Sequence, residues 1–140
     1  MREELYHQAL VERAQAGRRR GRLDRPDRTI TLDNPLCGDR VTLDLKIVNG
    51  RVADVGHQVR GCLLCEAAAE TIGQHGPGKT VVELSEGRMA IADMLSEGVP
   101  APEGAWSCLA VFAPVQKVKS RHDCVLLPFE ALAKTLARDA

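Results

Sequence analysis

The chain has 140 residues, 44% hydrophobic and 27% charged, with no formal net charge, which fits one domain, residues 1–140, with an ordinary core. Zero net charge and four aromatics, Tyr6, Trp106, Phe112 and Phe129, argue against a nucleic-acid binder that works by field or by stacking. No apolar run approaches the roughly 20 residues that span a bilayer, and the opening MREELYHQAL carries acids and no apolar stretch, so a cytoplasmic protein without a membrane partner is expected.

Residues 3–16 place apolar side chains at Leu5, Ala9, Leu10 and Ala14, with Tyr6 and Val11 beside them. That spacing predicts an amphipathic helix, and Gly17 reads as its stop. Residues 18–28 hold six arginines among Gly21, Asp24, Pro26 and Asp27 and read as a loop, either a solvated connector or a surface that meets an acidic partner. Residues 41–47 (VTLDLKI) alternate, with Val41, Leu43, Leu45 and Ile47 on one face; Asn49-Gly50 follows, and residues 51–59 resume. This predicts a hairpin closed by a turn that needs positive φ at both central residues. Residues 28–32 (RTITL) supply a third strand, near the minimum for a stable sheet.

After Cys62 the pattern turns helical, Ala- and Leu-rich, and ends at Gly76-Pro77-Gly78. Residues 80–95 predict one or two short helices interrupted near Gly87, and residues 99–105 a loop. Residues 106–118 are apolar and show no clear period. A last helix is expected over residues 125–138, with Pro128 in its first turn, where a missing N–H costs little. Gly76-Pro77-Gly78-Lys79-Thr80 lacks the spacing of a phosphate loop and reads as a turn.

Five cysteines, an odd number, in a reducing compartment favour metal or thiol chemistry over disulfides. Cys37 lies in the tight loop Asn34-Pro35-Leu36-Cys37-Gly38-Asp39, Cys62 opens the Ala-rich helix, and Cys124 stands at the start of the last one. Helix N-termini favour thiolate over thiol. Asp39 is placed to share the space of Cys37 across Gly38. Three thiolates and one carboxylate suit a tetrahedral zinc or iron ion, and the carboxylate makes such a site easier to open. Cys62-Leu63-Leu64-Cys65 has the C-x-x-C spacing of a redox pair but lacks its βαβ context. Cys65 therefore reads as a small buried residue or a spare thiol near the metal, and Cys108 as core. His122 is a candidate substitute ligand or an exposed neighbour of the site. His7, His57 and His75 show no partner in the sequence and read as surface or core.

NPLCGD before a hairpin, GC opening an Ala-rich helix, and a cysteine opening the last helix resemble the IscU/SufU/NifU N-terminal family of iron–sulfur assembly proteins. The resemblance runs from LYHQALVERA to FEALAK. The 25 residues from Cys37 to Cys62, the 62 from Cys62 to Cys124, and Arg121 three before the last cysteine are most similar to the SufU branch. The resemblance implies an α+β fold (SufE/IscU-like), a small three-stranded antiparallel sheet packed with helices. It also implies that Cys37, Asp39, Cys62 and Cys124 hold zinc, or transiently iron or a nascent iron–sulfur cluster. The implied partners are a SufS-like pyridoxal-phosphate cysteine desulfurase, whose persulfide sulfur Cys124 accepts with Arg121 helping to dock, and recipient apo-proteins or other cluster carriers. Such a chain is a scaffold and sulfur carrier more than a stand-alone enzyme. The sequence departs from the pattern after Cys62, where a Ser/Ala-rich stretch is usual, and lacks a good copy of the Leu-Pro-Pro-Val-Lys chaperone motif. The rival readings are a structural zinc module and a regulatory relative without sulfur transfer.

Overall fold

The computed structural model describes residues 2–137, with side chains from His7 onward. The side chains of Leu5 and Tyr6, and residues 138–140, lie outside the described residues. In chain order the elements are α1 (Arg2–Arg20), β1 (Arg28–Asn34), β2 (Asp39–Val48), β3 (Arg51–Arg60), α2 (Leu63–His75) and α3 (Val81–Glu97). Two 3-10 segments follow, Gly104–Lys117 and Lys119–Arg121, and then α4 (His122–Leu136).

The strands form an antiparallel meander in the order β1-β2-β3. The register sets Leu32 opposite Val41 and Ile30 opposite Leu43, and Val41, Leu43 and Leu45 opposite Val59, His57 and Val55. One face is therefore apolar apart from His57, which is buried among these residues. Asn49 and Gly50 both take positive φ, 52° and 74°, as the turn demands. Ala67, Ala68, Ala69 and Ile72 of α2 and Val125, Phe129 and Leu132 of α4 belong to the same buried core as Leu43, Leu45 and Val55. The fold is α+β, with helices gathered on one face of the sheet.

Four expectations are corrected. Helix α1 does not stop at Gly17 but runs on to Arg20. A Cβ at Gly17 would stand 3.1 Å from Glu70 Cβ and 3.2 Å from His57 Cε1, so this glycine permits a close crossing of α1 over α2. Gly21, with φ 72°, follows the helix in the left-handed conformation usual just past a helix end.

The arginines that follow are neither free connector nor bare surface. Arg18 pairs with Glu66, Arg20 with Glu70 and Arg22 with Asp44, at 2.7, 2.6 and 2.6 Å. Asp44 is fully buried and also accepts from Leu23 N–H and Thr29 Oγ1, which pins the loop onto the outer face of the sheet.

Helix α3 is one helix, started by a Thr80–Glu83 capping box and ended at Gly98 with φ 69°. Gly87 does not interrupt it. A Cβ there would run into the six-membered ring of Trp106, whose Nε1 donates to Glu83 O at 2.9 Å.

Helix α4 begins three residues earlier than expected, so Pro128 lies beyond its first turn. Pro128 has no N–H to give to the carbonyl of Cys124, four residues before it. At the far end Arg28 Nη1 donates to Thr135 O and Leu136 O, at 2.9 and 3.3 Å.

Candidate functional site

Three element ends meet at one edge of the sheet. The β1–β2 loop carries Cys37, the first residue of β2 is Asp39, and the chain leaving β3 reaches Cys62 at the N-cap of α2. The first turn of α4 brings Cys124 against them. The loop is shaped locally: Asn34 Oδ1 accepts from Leu36 N–H at 3.1 Å, Gly38 N–H donates back to Asn34 O at 2.8 Å, and Gly38 has φ 78°. That turn holds Cys37 exposed at the rim while Asp39 goes inside, 3% exposed.

The Asp39 carboxylate is the hub. Its Oδ1 accepts from Cys62 N–H at 3.1 Å and its Oδ2 from Cys62 Sγ at 3.5 Å. It thereby satisfies the Cys62 N–H at the start of α2, where the Cys62 side chain itself makes no cap hydrogen bond. Gly61 leaves the room: a Cβ there would stand 2.7 Å from Asp39 Cγ. Sequence reasoning missed Gly61, because its neighbour comes from a different strand.

One ligand atom each from Cys37, Asp39 and Cys124 lies within 4.8 Å of the others. Cys62 stands beside Asp39 but outside that mutual set. All five cysteines are free thiols. Two soft sulfurs and one carboxylate oxygen at this spacing make a candidate Cys2Asp cation site.

The expectation that a helix N-terminus favours thiolate does not hold for Cys124. Burial pushes the Cys124 thiol well above its ordinary value, and contacts with Cys62 and Asp39 add to the push. Burial also raises Cys65, followed by the charges of Asp39, Cys62, Cys124 and Cys37. Burial, with the neighbouring acids adding to it, outweighs the helix end at Cys124.

Arg121 is exposed and directly precedes α4. His122 is half-buried, and its Nε2 lies 3.0 and 3.1 Å from Val115 O and Gln116 O, staples that tie the long 3-10 segment to α4. Cys65 is fully buried, as expected of a core residue, yet it borders the site. Cys108 is half-buried, less enclosed than a core residue, and its carbonyl accepts from Arg13. His57, partnerless in the sequence, is buried with Glu70 at 3.0 Å.

The family model "NifU-like N terminal domain" matches residues 5–124. The chain therefore belongs to the NifU-like N-terminal family, the IscU/SufU group of iron–sulfur cluster assembly scaffolds. It is 27% identical over 136 residues to the iron–sulfur cluster assembly scaffold protein IscU of Thermotoga maritima, covering 96% of this chain and 94% of that one. It is 25% identical over 135 residues to the zinc-dependent sulfurtransferase SufU of Bacillus subtilis, covering 96% and 91%. The crystal structure of a NifU-like protein (N-terminal) from Brucella abortus superposes with a TM-score of 0.84 at 38% identity, covering 91% of this chain and 89% of that one. Among the described residues no helix is long and apolar enough to cross a membrane.

Proposed function

We propose that this scaffold-family chain accepts persulfide sulfur on Cys124 from a SufS-like cysteine desulfurase and holds zinc or a nascent iron–sulfur cluster at Cys37, Asp39, Cys62 and Cys124. The observation that carries this reading is the convergence of Cys37, Asp39 and Cys124 within 4.8 Å, with Cys62 bonded to the same carboxylate. The donor chemistry fits the ion, since thiolates and a carboxylate are ordinary zinc and iron ligands. The raised Cys124 thiol fits it too, because a bound dication favours the deprotonated sulfur that burial disfavours.

Zinc held by these residues would keep the thiolates deprotonated and shielded. The rest is done by the chain's own groups. Cys37 at the exposed rim and Asp39 behind it would remain to hold an ion when the Cys124 sulfur reacts. The Cys124 sulfur attacks the outer sulfur of the desulfurase persulfide, that sulfur–sulfur bond breaks, and the desulfurase leaves as thiolate. Cys124 then carries the persulfide. Arg121, exposed beside it, is placed to meet the partner. The recipients are apo-proteins or other cluster carriers in the cytoplasm, and the chain acts as carrier and scaffold.

Two measurements test this. Protein purified without oxygen is expected to hold about one divalent ion per four-ligand site: zinc without colour points to sulfur transfer, and iron with matching sulfide and a brown spectrum to the scaffold role. Cys124→Ala is expected to abolish stimulation of the desulfurase; stimulation at the wild-type level would sink the acceptor assignment.

A further inference from the structure

The Cys62-Leu63-Leu64-Cys65 motif is not used by the proposed function beyond its first cysteine. Cys62 is the N-cap of α2, with φ −78° and ψ 165°, and Cys65 is the third helical residue. An N-cap residue and the third helical residue lie one turn apart on the same side of a helix start, where their side chains can meet. In α3 the residues at those same two positions, Thr80 and Glu83, are in mutual contact. Helix geometry puts α-carbons three residues apart at about 5 Å, inside the disulfide window of about 4.4–6.8 Å.

Two further observations give the pair a role. Cys65 is fully buried one helical turn from Cys62, so its sulfur is shut off from solvent. Cys62 contacts Cys124 but stands outside the Cys37–Asp39–Cys124 set, so it is within reach of sulfur on Cys124 without being needed for that set.

We propose that Cys62 and Cys65 form a resolving pair, in which sulfur carried on Cys124 passes to Cys62 and leaves as hydrogen sulfide when Cys65 closes a disulfide onto Cys62. The inference rests on the sulfur-acceptor reading above. In the first step the Cys62 sulfur attacks the outer sulfur of the Cys124 persulfide, and Cys124 takes back a proton as thiol. In the second step the Cys65 sulfur attacks Cys62 Sγ. The Cys62–outer sulfur bond breaks, and the outer sulfur leaves with both its own proton and the one Cys65 gives up. The outer sulfur is reduced to sulfide, and the two cysteines are oxidised to a disulfide. A dithiol reductant reaching half-buried Cys62 then restores both thiols. Sulfide is thus released beside the cation ligands without an electron donor docked at the moment of release.

The test charges the full chain with sulfur from the desulfurase and L-cysteine, desalts it, and follows free sulfide together with peptide mass mapping. The expected result is about one sulfide per persulfide lost, as the exchange stoichiometry requires, with Cys62 joined to Cys65. Cys65→Ala is expected to retain its persulfide and to release sulfide about tenfold more slowly or worse, with its fold checked by far-UV dichroism. Release from Cys65→Ala at the wild-type rate, or a linkage between other cysteines, overturns the resolving role. A desulfurase that places no persulfide on Cys124 overturns the acceptor reading instead. In that event the wild-type chain is loaded with inorganic polysulfide and desalted: a Cys62–Cys65 linkage upholds the pair, and its absence overturns it.

Discussion

Asp39 binds two elements from its place at the start of β2. One oxygen accepts from Cys62 N–H at the start of α2, and the other faces the Cys62 sulfur. A methyl group at position 61 would push that carboxylate aside. Gly61→Ala is therefore expected to weaken zinc binding by about 10–100-fold, the usual cost of disturbing a ligand's support, read by competition with a chromophoric chelator. Far from the site, Glu70 shows how a buried acid is tolerated. Burial works to raise its pKa, but hydrogen bonds from His57, Arg20 and Gln74 and the charge of Arg20 outweigh it and bring it from 4.5 to about 2. A depressed carboxylate contributes stability that is complete above its unfolded value and is lost as pH falls through the folded one. The wild type should lose on the order of 3 kcal/mol through Glu70 between pH 4.5 and about 2. Glu70→Gln should be less stable at neutral pH and should lack that share of the acid loss, measured as Tm against pH.

At the scale of the elements, two glycines inside helices serve contacts with other elements. Gly87→Ala is expected to cost roughly 1–3 kcal/mol, the range for overpacking a filled core, seen as a lower urea midpoint at unchanged slope. The same positions explain what was and was not legible beforehand. The β2–β3 hairpin was readable because alternation and Asn49-Gly50 are local signals, and the strand bounds follow them closely. Gly17 and Gly87 misled because a glycine at a helix crossing looks, in one dimension, like a glycine that ends a helix. Only α2 and Trp106 reveal the difference. The arginines after α1 were likewise unreadable as clamps, since Glu66, Glu70 and Asp44 come from later elements. Residues 106–118 gave no period because a 3-10 helix has three residues per turn and this one is kinked at Trp106. The cysteines and Asp39 could be singled out by type and position at element ends. That Cys62 would sit beside Asp39 yet fall outside the mutual Cys37–Asp39–Cys124 set needed the tertiary arrangement.

For the molecule as a whole, the cysteine cluster sits at one edge of the sheet while the bulk of the core is aliphatic, with Leu43, Leu45, Ile72 and Leu132 buried together. A core of this kind folds without a metal staple. Chelation is therefore expected to lower Tm while leaving the far-UV helix signal in place; gross unfolding on chelation would mark the ion as structural. The ligand set also carries a consequence in time. Cys37 and Asp39 lie in the first third of the chain, whereas Cys124 opens the last helix. A chain made from its N-terminus exposes the early donors long before the late one exists, and an ion that arrives early meets a partial set with a weak hold. In the proposed four-ligand site tight binding begins only when α4 has packed, so a bound metal would report that the last of these elements has been made and docked.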